Sequence, residues 1–260
     1  MAKVGKKAGK NTKHGDDQSV LTKKRSLQKG ETFVPGPPLR PKDAATLILI
    51  RRDGKQPRVL MGKRAGGHAF MPNLYVFPGG RVDAGDGRVP SADELSEPHL
   101  DKLLQAPINA ARARALAMAA VRETYEETGV IIGSPGGDKP VKTKSKHWQP
   151  FYDTGFLPEL SPLRFVFRAI TPPNRSRRFD TRFFMLFADE TKADVPERLT
   201  GSGELEGLDW IPLSDMGDIE IPTITETVLK HVRGRVKDKD PAPPVPFVHF
   251  SRGVPKFEQH

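Results

Sequence analysis

Glu123, Glu126 and Glu127 stand at positions i, i+3 and i+4 of the stretch Arg122-Glu123-Thr124-Tyr125-Glu126-Glu127-Thr128-Gly129. On a helix, at about 100° per residue, three such carboxylates fall within roughly a third of the circumference and point the same way. Like charges at these spacings repel, and the last turn of a helix carries the negative end of its dipole, so the acids sit where the backbone least favours them. Something positive should complete the site. Clustered carboxylates without lysine on the same face suit hard divalent cations, Mg²⁺ or Mn²⁺, which take oxygen ligands and bridge to phosphates. Since an acidic helix end is more often a solvated surface, the chemistry depends on what the neighbouring chain delivers to it.

The elements that would position the acids are legible around them. Pro107 or Asn109 marks a helix start, Ala110 to Thr128 is rich in strong helix formers, and Gly129 stands where a left-handed C-terminal cap belongs. Ala117, Met118, Val121 and Tyr125 lie opposite Glu123, so one face can be buried, with Met118 and Tyr125 in the core, while the other presents carboxylates. Upstream, Ala44–Ile50 and Arg58–Arg64 read as a buried hairpin. The chain then reaches Gly79-Gly80 through a loop and a strand. Glycines allow the backbone to approach a ligand closely and offer a carbonyl to a cation, so Gly79 joins the candidate metal ligands.

Residues 87–108 form an excursion in which Ser91-Ala92-Asp93-Glu94 has capping-box spacing and Leu95, Leu100, Leu103 and Leu104 can pack a short helix near the substrate. Val130-Ile131-Ile132 reads as a short strand, 133–146 as a solvated loop, and His147-Trp148 with Phe151-Tyr152 as an aromatic cluster in which His147 is a less expected ligand. Two further strands, Leu163–Ile170 and Phe179–Ala188, flank a basic proline-bounded loop at 172–178 that suits either an anion-binding rim or an exposed turn. Glu204–Leu213 is another strand, with Glu204 or Glu206 as a distal carboxylate, and Pro222–Val236 a last amphipathic helix.

Of the net charge of +10, residues 1–30 carry +7, from nine Lys/Arg against Asp16 and Asp17. The basic balance therefore describes a tail, and no specific nucleic-acid binding is expected of the fold. Residues 1–40 lack apolar periodicity and are expected to be disordered; so is the Pro-rich segment 237–260, unless it is extended. With no cysteine there is neither a disulfide nor a thiolate site. The longest apolar run is far below the ~20 residues that span a bilayer, so no membrane contact is expected and a cytoplasmic location is the default. The glycines at 201, 203 and 207 do not form a dinucleotide fingerprint, and no phosphate-loop Gly-Lys-Ser/Thr is present.

The glycine turn and the acidic helix together resemble the signature of the Nudix hydrolases, G-x5-E-x7-R-E-U-x-E-E-x-G-U, with U a bulky apolar residue. Gly80 fits the first glycine, Asp86 stands in place of Glu, and Arg122, Glu123, Glu126, Glu127, Gly129 and Val130 fit the rest. Thr124 replaces an apolar residue, and residues 87–121 number 35 where the pattern has seven. The insertion, the segment from Arg64-Ala65 through Phe70-Met71-Pro72 to Phe77-Pro78-Gly79-Gly80, and Arg178–Phe184 resemble the peroxisomal coenzyme A diphosphatases and their bacterial relatives. Ala69 and Asn73 depart from the coenzyme A motif, which has Arg and Gly there.

The resemblance implies an α/β/α sandwich with a mixed sheet over residues 41–236, a single domain between disordered tails. It implies a pyrophosphatase that cuts a small-molecule nucleotide, coenzyme A or an acyl-coenzyme A, with ADP-ribose or NADH as the alternative. A binding or regulatory module that has lost activity, with an RNA-touching tail, is a further one. Mg²⁺ or Mn²⁺ would be held by Gly79, Glu123, Glu126 and Glu127. Glu123 or Glu204 would take the proton of water, and Arg122 would orient Glu127 or its neighbours. Arg64, Arg178, Arg182 and Phe77 would contact substrate. The oligomeric state, a homodimer included, stays open.

Overall fold

The computed structural model describes residues 31–66, 73–193, 195–199, 203–238 and 240–260. Its centre is strand β1 (Lys42–Arg51), which pairs in parallel with β8 (Phe179–Phe187) over its whole length, from Lys42↔Phe179 to Ile50↔Phe187. The other neighbour of β1 is β2 (Arg58–Arg64), antiparallel through Ile50↔Val59, as the hairpin reading requires. With β3 (Tyr75–Val76), β4 (Gly79–Arg81), β7 (Arg164–Ile170), β9 (Leu205–Pro212), β10 (Pro246–Ser251) and β11 (Val254–Gln259), they make one mixed sheet in the order β11-β10-β7-β8-β1-β2-β3. There β4 pairs with β1, and β9 with β2.

β1 is a continuous apolar run because both of its faces are covered. Leu47 and Leu49 belong to a core shared with helix α2 (Ala110–Thr128), whereas Ile48 and Ile50 belong to a second core with Val228, Leu229 and Val232 of α4 (Thr223–Arg235). Helices on both faces make the expected α/β/α layers. Helix α2 has the predicted limits: the Asn109 side chain accepts a hydrogen bond from Arg112 N at 2.9 Å. At its end Gly129 has φ of 74° and donates to Tyr125 O. Met118 is fully buried, and Tyr125 packs against the same core. None of the described helices is long and apolar enough to cross a membrane.

Three expectations are corrected. The segment 237–260 is not a loose tail: β10 joins the sheet in parallel beside β7, Phe247 opposite Arg168, and a tight turn with φ of 50° at Arg252 and 77° at Gly253 returns it as β11. The prolines at 241, 243, 244 and 246 hide the apolar residues Phe247, Val248 and Phe250 that follow, while the Arg168 guanidinium lies 4.1 Å over the Phe247 ring. Residues 31–34, counted as disordered, lie along the basic loop: Val34 N donates to Asn174 O at 3.1 Å and Ser176 N to Thr32 O at 3.2 Å. Residues 1–30 and the segment Phe70-Met71-Pro72 lie outside the described residues. The short strand after α2 falls not at Val130–Ile132 but at β5 (Gly133–Pro135), paired with β6 (Phe156–Pro158).

The insertion does pack a helix, α1 (Glu97–Leu104), with Leu103 buried. Its capping-box residues start no helix. Ser91 and Glu94 instead grip Arg114 of α2, which donates to Ser91 Oγ at 2.7 Å and to Glu94 Oε1 at 2.8 Å, while Tyr152 of α3 (Gln149–Tyr152) donates to Pro90 O. The insertion is therefore a buttress of the helix that carries Glu123, Glu126 and Glu127.

Candidate active site

Strand β4 and the C-terminal half of α2 meet at the two glycines. A Cβ on Gly80 would lie 2.5 Å from the Glu123 carboxyl carbon, and one on Gly79 would lie 2.5 Å from Ala45 O. A side chain at Gly80 would displace the Glu123 carboxylate, and Gly79, tight against the β1 backbone, has φ of 154°, in the region open chiefly to glycine. Gly79 N donates to Glu127 Oε2 at 2.9 Å, so the glycine turn grips the third carboxylate directly.

Arg122 is buried and organises the rest. Its Nε donates to Asp86 Oδ1 at 2.8 Å and its Nη2 to Asp86 Oδ2 at 3.1 Å, a bidentate pair whose carboxylate has no exposure. The remaining oxygen capacity of Asp86 is met by Trp148 Nε1 at 2.8 Å and the Asp83 amide at 2.7 Å. Arg122 Nη1 reaches Glu126 Oε2 at 2.6 Å and Glu123 Oε1 at 3.0 Å. Of the expected partners, Glu127 or its neighbours, it is the neighbours Glu123 and Glu126 that Arg122 holds, while Gly79 N holds Glu127. The Thr124 departure is benign: the buried hydroxyl donates to Ala120 O at 2.7 Å, so the helix satisfies it internally.

These groups line a cavity of about 950 Å³. Arg122, Glu123, Glu126, Glu127, Gly79, Glu204, Arg64 and Arg178 all contribute to its wall, although Glu204 comes from a chain segment distant in sequence. Phe77 and Arg182 do not. Phe77 is buried in the core beside α4, and Arg182, 1% exposed, forms ion pairs with Asp180 at 2.9 Å and Asp43 at 3.3 Å. Strand alternation explains Arg182: Phe179 reaches the cavity wall, whereas the side chain three residues on lies on the opposite face of β8, where Asp43 and Asp180 pair with it. No residue of the insertion lines the cavity. Sequence reasoning missed Asp86 as an anchor, Trp148 as its donor, and the cations Arg40, Lys42 and Arg81 among the lining residues, whereas Arg177 comes from the basic loop at 172–178 expected as an anion-binding rim. His147 was a lesser expectation; its Nδ1 lies 2.9 Å from Glu126 Oε1.

Burial pushes Glu123 up to about 7; the charges of Glu126 and Asp86 add to this, while Arg122 opposes it. Glu127 goes up to about 8, again chiefly by burial, with Glu123 and Glu204 raising it and the Gly79 amide opposing. Although Glu123 lies beside Arg122, desolvation outweighs the ion pair, because Arg122 already shares its charge with Asp86 and Glu126. Arg122 itself loses to burial but is held well above its ordinary value by Asp86, Glu123 and Glu126. Both carboxyls are raised by burial first and by neighbouring acid charge, and a divalent cation, which binds the ionised oxygens, would offset both causes. Among the described residues, however, no three acidic or histidine side chains converge as a coordination sphere, since Glu126 is drawn to Arg122 and His147 and Glu127 to Gly79.

The stability consequence has a definite sign. A folded carboxyl that keeps its proton up to about 7 or 8, against an ordinary 4.5, makes folding less favourable as pH rises through that interval. The buried histidines His99 and His231, lowered to about 4 chiefly by desolvation, act only below their ordinary 6.5. Between pH 6.5 and about 8 the melting temperature of chelator-treated protein should therefore fall. Glu127→Gln should flatten that fall, and Mg²⁺ should raise the melting temperature most at the upper end. A melting temperature indifferent to pH across this window would show the two carboxyls to be ordinary.

No family model matches the chain. Over 180 residues it is 31% identical to nudix hydrolase 7 of Caenorhabditis elegans, a stretch that makes up 65% of this chain and 51% of the worm protein. A crystal structure of a Nudix hydrolase from Alicyclobacillus acidocaldarius superposes with a TM-score of 0.54 at 28% identity, covering 74% of this chain and 90% of that one. In sequence and in fold, the likeness is to the Nudix hydrolases. The chain spans about half the length of the worm Nudix protein. The Nudix domain of Shewanella oneidensis NrtR, solved with ADP ribose, is more distant, at 12% identity and a TM-score of 0.45 over 76% of this chain and 90% of that one. Of the residues that resemble the Nudix signature, Arg122, Glu123, Glu126 and Glu127 lie together on the cavity wall, with Asp86 buried behind Arg122.

Proposed function

We propose that the chain is a metal-dependent Nudix diphosphatase acting on a nucleoside diphosphate derivative, and that this substrate is coenzyme A or an acyl-coenzyme A. The observation that carries the reading is the composition of one wall: two buried carboxylates held above their ordinary range, facing the guanidinium groups of Arg64, Arg81, Arg177 and Arg178. Glu123, Glu126, Glu127 and the Gly79 carbonyl are the groups that would hold Mg²⁺ or Mn²⁺. Such an ion neutralises a diphosphate and lowers the pKa of a bound water. Arg64 and Arg178 bring guanidinium charge to the wall; Arg178 Nε donates to Thr171 O and Pro172 O and its Nη1 to Leu39 O, so Nη2 is the nitrogen it would turn to a phosphate oxygen. Glu123, at about 7, has the affinity to accept a proton from an attacking water at physiological pH. Glu204, exposed on the same wall, is the other candidate acceptor.

Coenzyme A adds a 3′-phosphate to the diphosphate, and the cations Arg40, Lys42, Arg177 and Arg178 on one side of the cavity supply more positive charge than a diphosphate alone requires. The products would be adenosine 3′,5′-bisphosphate and 4′-phosphopantetheine. The test is a panel of diphosphates with product identification. Coenzyme A should be preferred to dephospho-coenzyme A, and Arg178→Ala and Arg64→Ala should each narrow that preference by about 10-fold or more, the worth of one charge-assisted pair of about 1.5–3 kcal/mol. Equal kcat/KM for the two substrates, or preference for ADP-ribose or NADH, would leave the diphosphatase and remove coenzyme A.

A further inference from the structure

The segment 31–42 lies along both ends of the basic loop that joins β7 to β8. At one end, Phe33 and Arg175 form an antiparallel bridge, flanked by Val34 N donating to Asn174 O at 3.1 Å and Ser176 N donating to Thr32 O at 3.2 Å. At the other, Arg178 Nη1 donates to Leu39 O at 2.5 Å and Lys42 N to Arg178 O at 2.9 Å. Between these two grips the chain reads Pro35-Gly36-Pro37-Pro38, in which three prolines fix φ and Gly36 takes φ of 106°. We propose that this stiff segment is a strap that sets the loop for anion binding, with Glu31 and Arg175 as its positioning residues. The proposal rests on the diphosphatase reading only for the identity of the anion.

The loop needs such a support. Pro172 and Pro173 have no N–H to anchor its first half, and Arg175, Arg177 and Arg178 repel one another. Arg175 Nε donates to Glu31 Oε2 at 3.1 Å, and the two side chains are only 13% and 5% exposed. The pair faces a neighbouring cavity, which Glu31, Phe33 and Arg175 line, whereas Ser176 and Arg178 line the carboxylate cavity and Arg177 lines both. Successive side chains of an extended chain point to opposite sides, so holding Arg175 against Glu31 turns Ser176 the other way and brings the next two arginines to the carboxylate cavity. Cations ordered in advance spare a bound anion the entropy of ordering them.

Methylenediphosphonate, a diphosphate mimic that cannot be hydrolysed, is titrated by calorimetry in Mg²⁺ into the wild-type chain and its Glu31→Ala and Val34→Pro variants, and steady-state cleavage of coenzyme A is measured beside it. Glu31→Ala decides between two causes by sign. Removing an acid near an anion site tightens binding if only the long-range field matters; removing the partner of Arg175 weakens it if Glu31 positions the loop. The Kd for methylenediphosphonate and the KM for coenzyme A should both rise by about fivefold or more, the order of one net hydrogen bond, while kcat stays within about twofold. Val34→Pro removes one backbone donor and no charge, so it should weaken binding in the same direction, and it carries the test should Glu31→Ala fail to fold. Because coupling is reciprocal, methylenediphosphonate should slow hydrogen exchange at the Ser176 amide of the wild type. Affinity unchanged or tightened in Glu31→Ala, or wild-type affinity in Val34→Pro, would overturn the strap. Weaker binding in both variants, from a wild type that cleaves no nucleotide, would keep the strap and overturn the diphosphatase reading.

Discussion

Replacing Glu127 with glutamine is expected to lower kcat by roughly 10²–10³-fold, the cost typical of removing one preorganised electrostatic group from a reacting centre. The amide keeps the shape of the side chain and can still accept the Gly79 N–H, so the fold should survive. What it loses is the charge that a cation needs. Glu126→Gln should fall in the same range. A chelator should abolish turnover in the wild type, and Mg²⁺ or Mn²⁺ should restore it. Product release measured by phosphate-sensitive chromatography would check the rates, and far-ultraviolet circular dichroism the fold. Unchanged turnover in both variants would remove the acidic cluster from the reaction. The signs of the two readouts are opposite: Glu127→Gln should stabilise the cation-free protein at pH 8 by relieving a buried repulsion, while disabling it as a catalyst. A substitution that improves stability and destroys rate is the signature of a site that stores unfavourable charge for its ligand.

The parts of this molecule that obey local rules were legible in the sequence. Helix α2 was readable to the residue because Asn109 caps it, strong helix formers fill it and Gly129 ends it. β1, β2, β7 and β8 were readable because their apolar runs are continuous or alternate. The acid cluster was readable because spacing on a helix fixes direction. What escaped depends on pairing across long separations. Asp86 and Trp148 are 62 residues apart, and nothing in either local stretch announces that an indole N–H will meet that carboxylate. Arg182 looked like an anion-binding residue beside Arg178, yet the face of β8 it lies on sets it against Asp180 of the same strand and Asp43 of β1. The C-terminal hairpin was obscured because composition was weighted over pattern: prolines at 241–246 argue against a strand, but they precede it, and the edge position beside β7 tolerates Pro246. Capping-box spacing at Ser91–Glu94 misled in the converse way, since the same hydrogen-bonding side chains can serve a distant arginine as readily as a helix end.

Asp86→Ala is expected to destabilise the protein by about 3–5 kcal/mol, because it leaves the buried Arg122 guanidinium without its bidentate partner. Glu123 and Glu126 would remain beside Arg122, but Nε and Nη2 would lose their acceptor, and the Trp148 indole and the Asp83 amide would each lose theirs. The urea midpoint of chelator-treated protein, at constant slope, measures the loss. Activity should fall as well, since Arg122 positions Glu123 and Glu126 only while Asp86 fixes Arg122. The double variant Asp86→Leu with Arg122→Leu separates the two consequences: apolar side chains of similar bulk can replace a buried ion pair at little cost, so stability should return most of the way while activity does not. A double-mutant cycle between the positions should then give a coupling at least as large as the single Asp86 loss, about 3 kcal/mol or more. Additive losses, with no recovery of the midpoint in the double variant, would mean that Asp86 and Arg122 contribute separately and that the anchor of the site lies elsewhere.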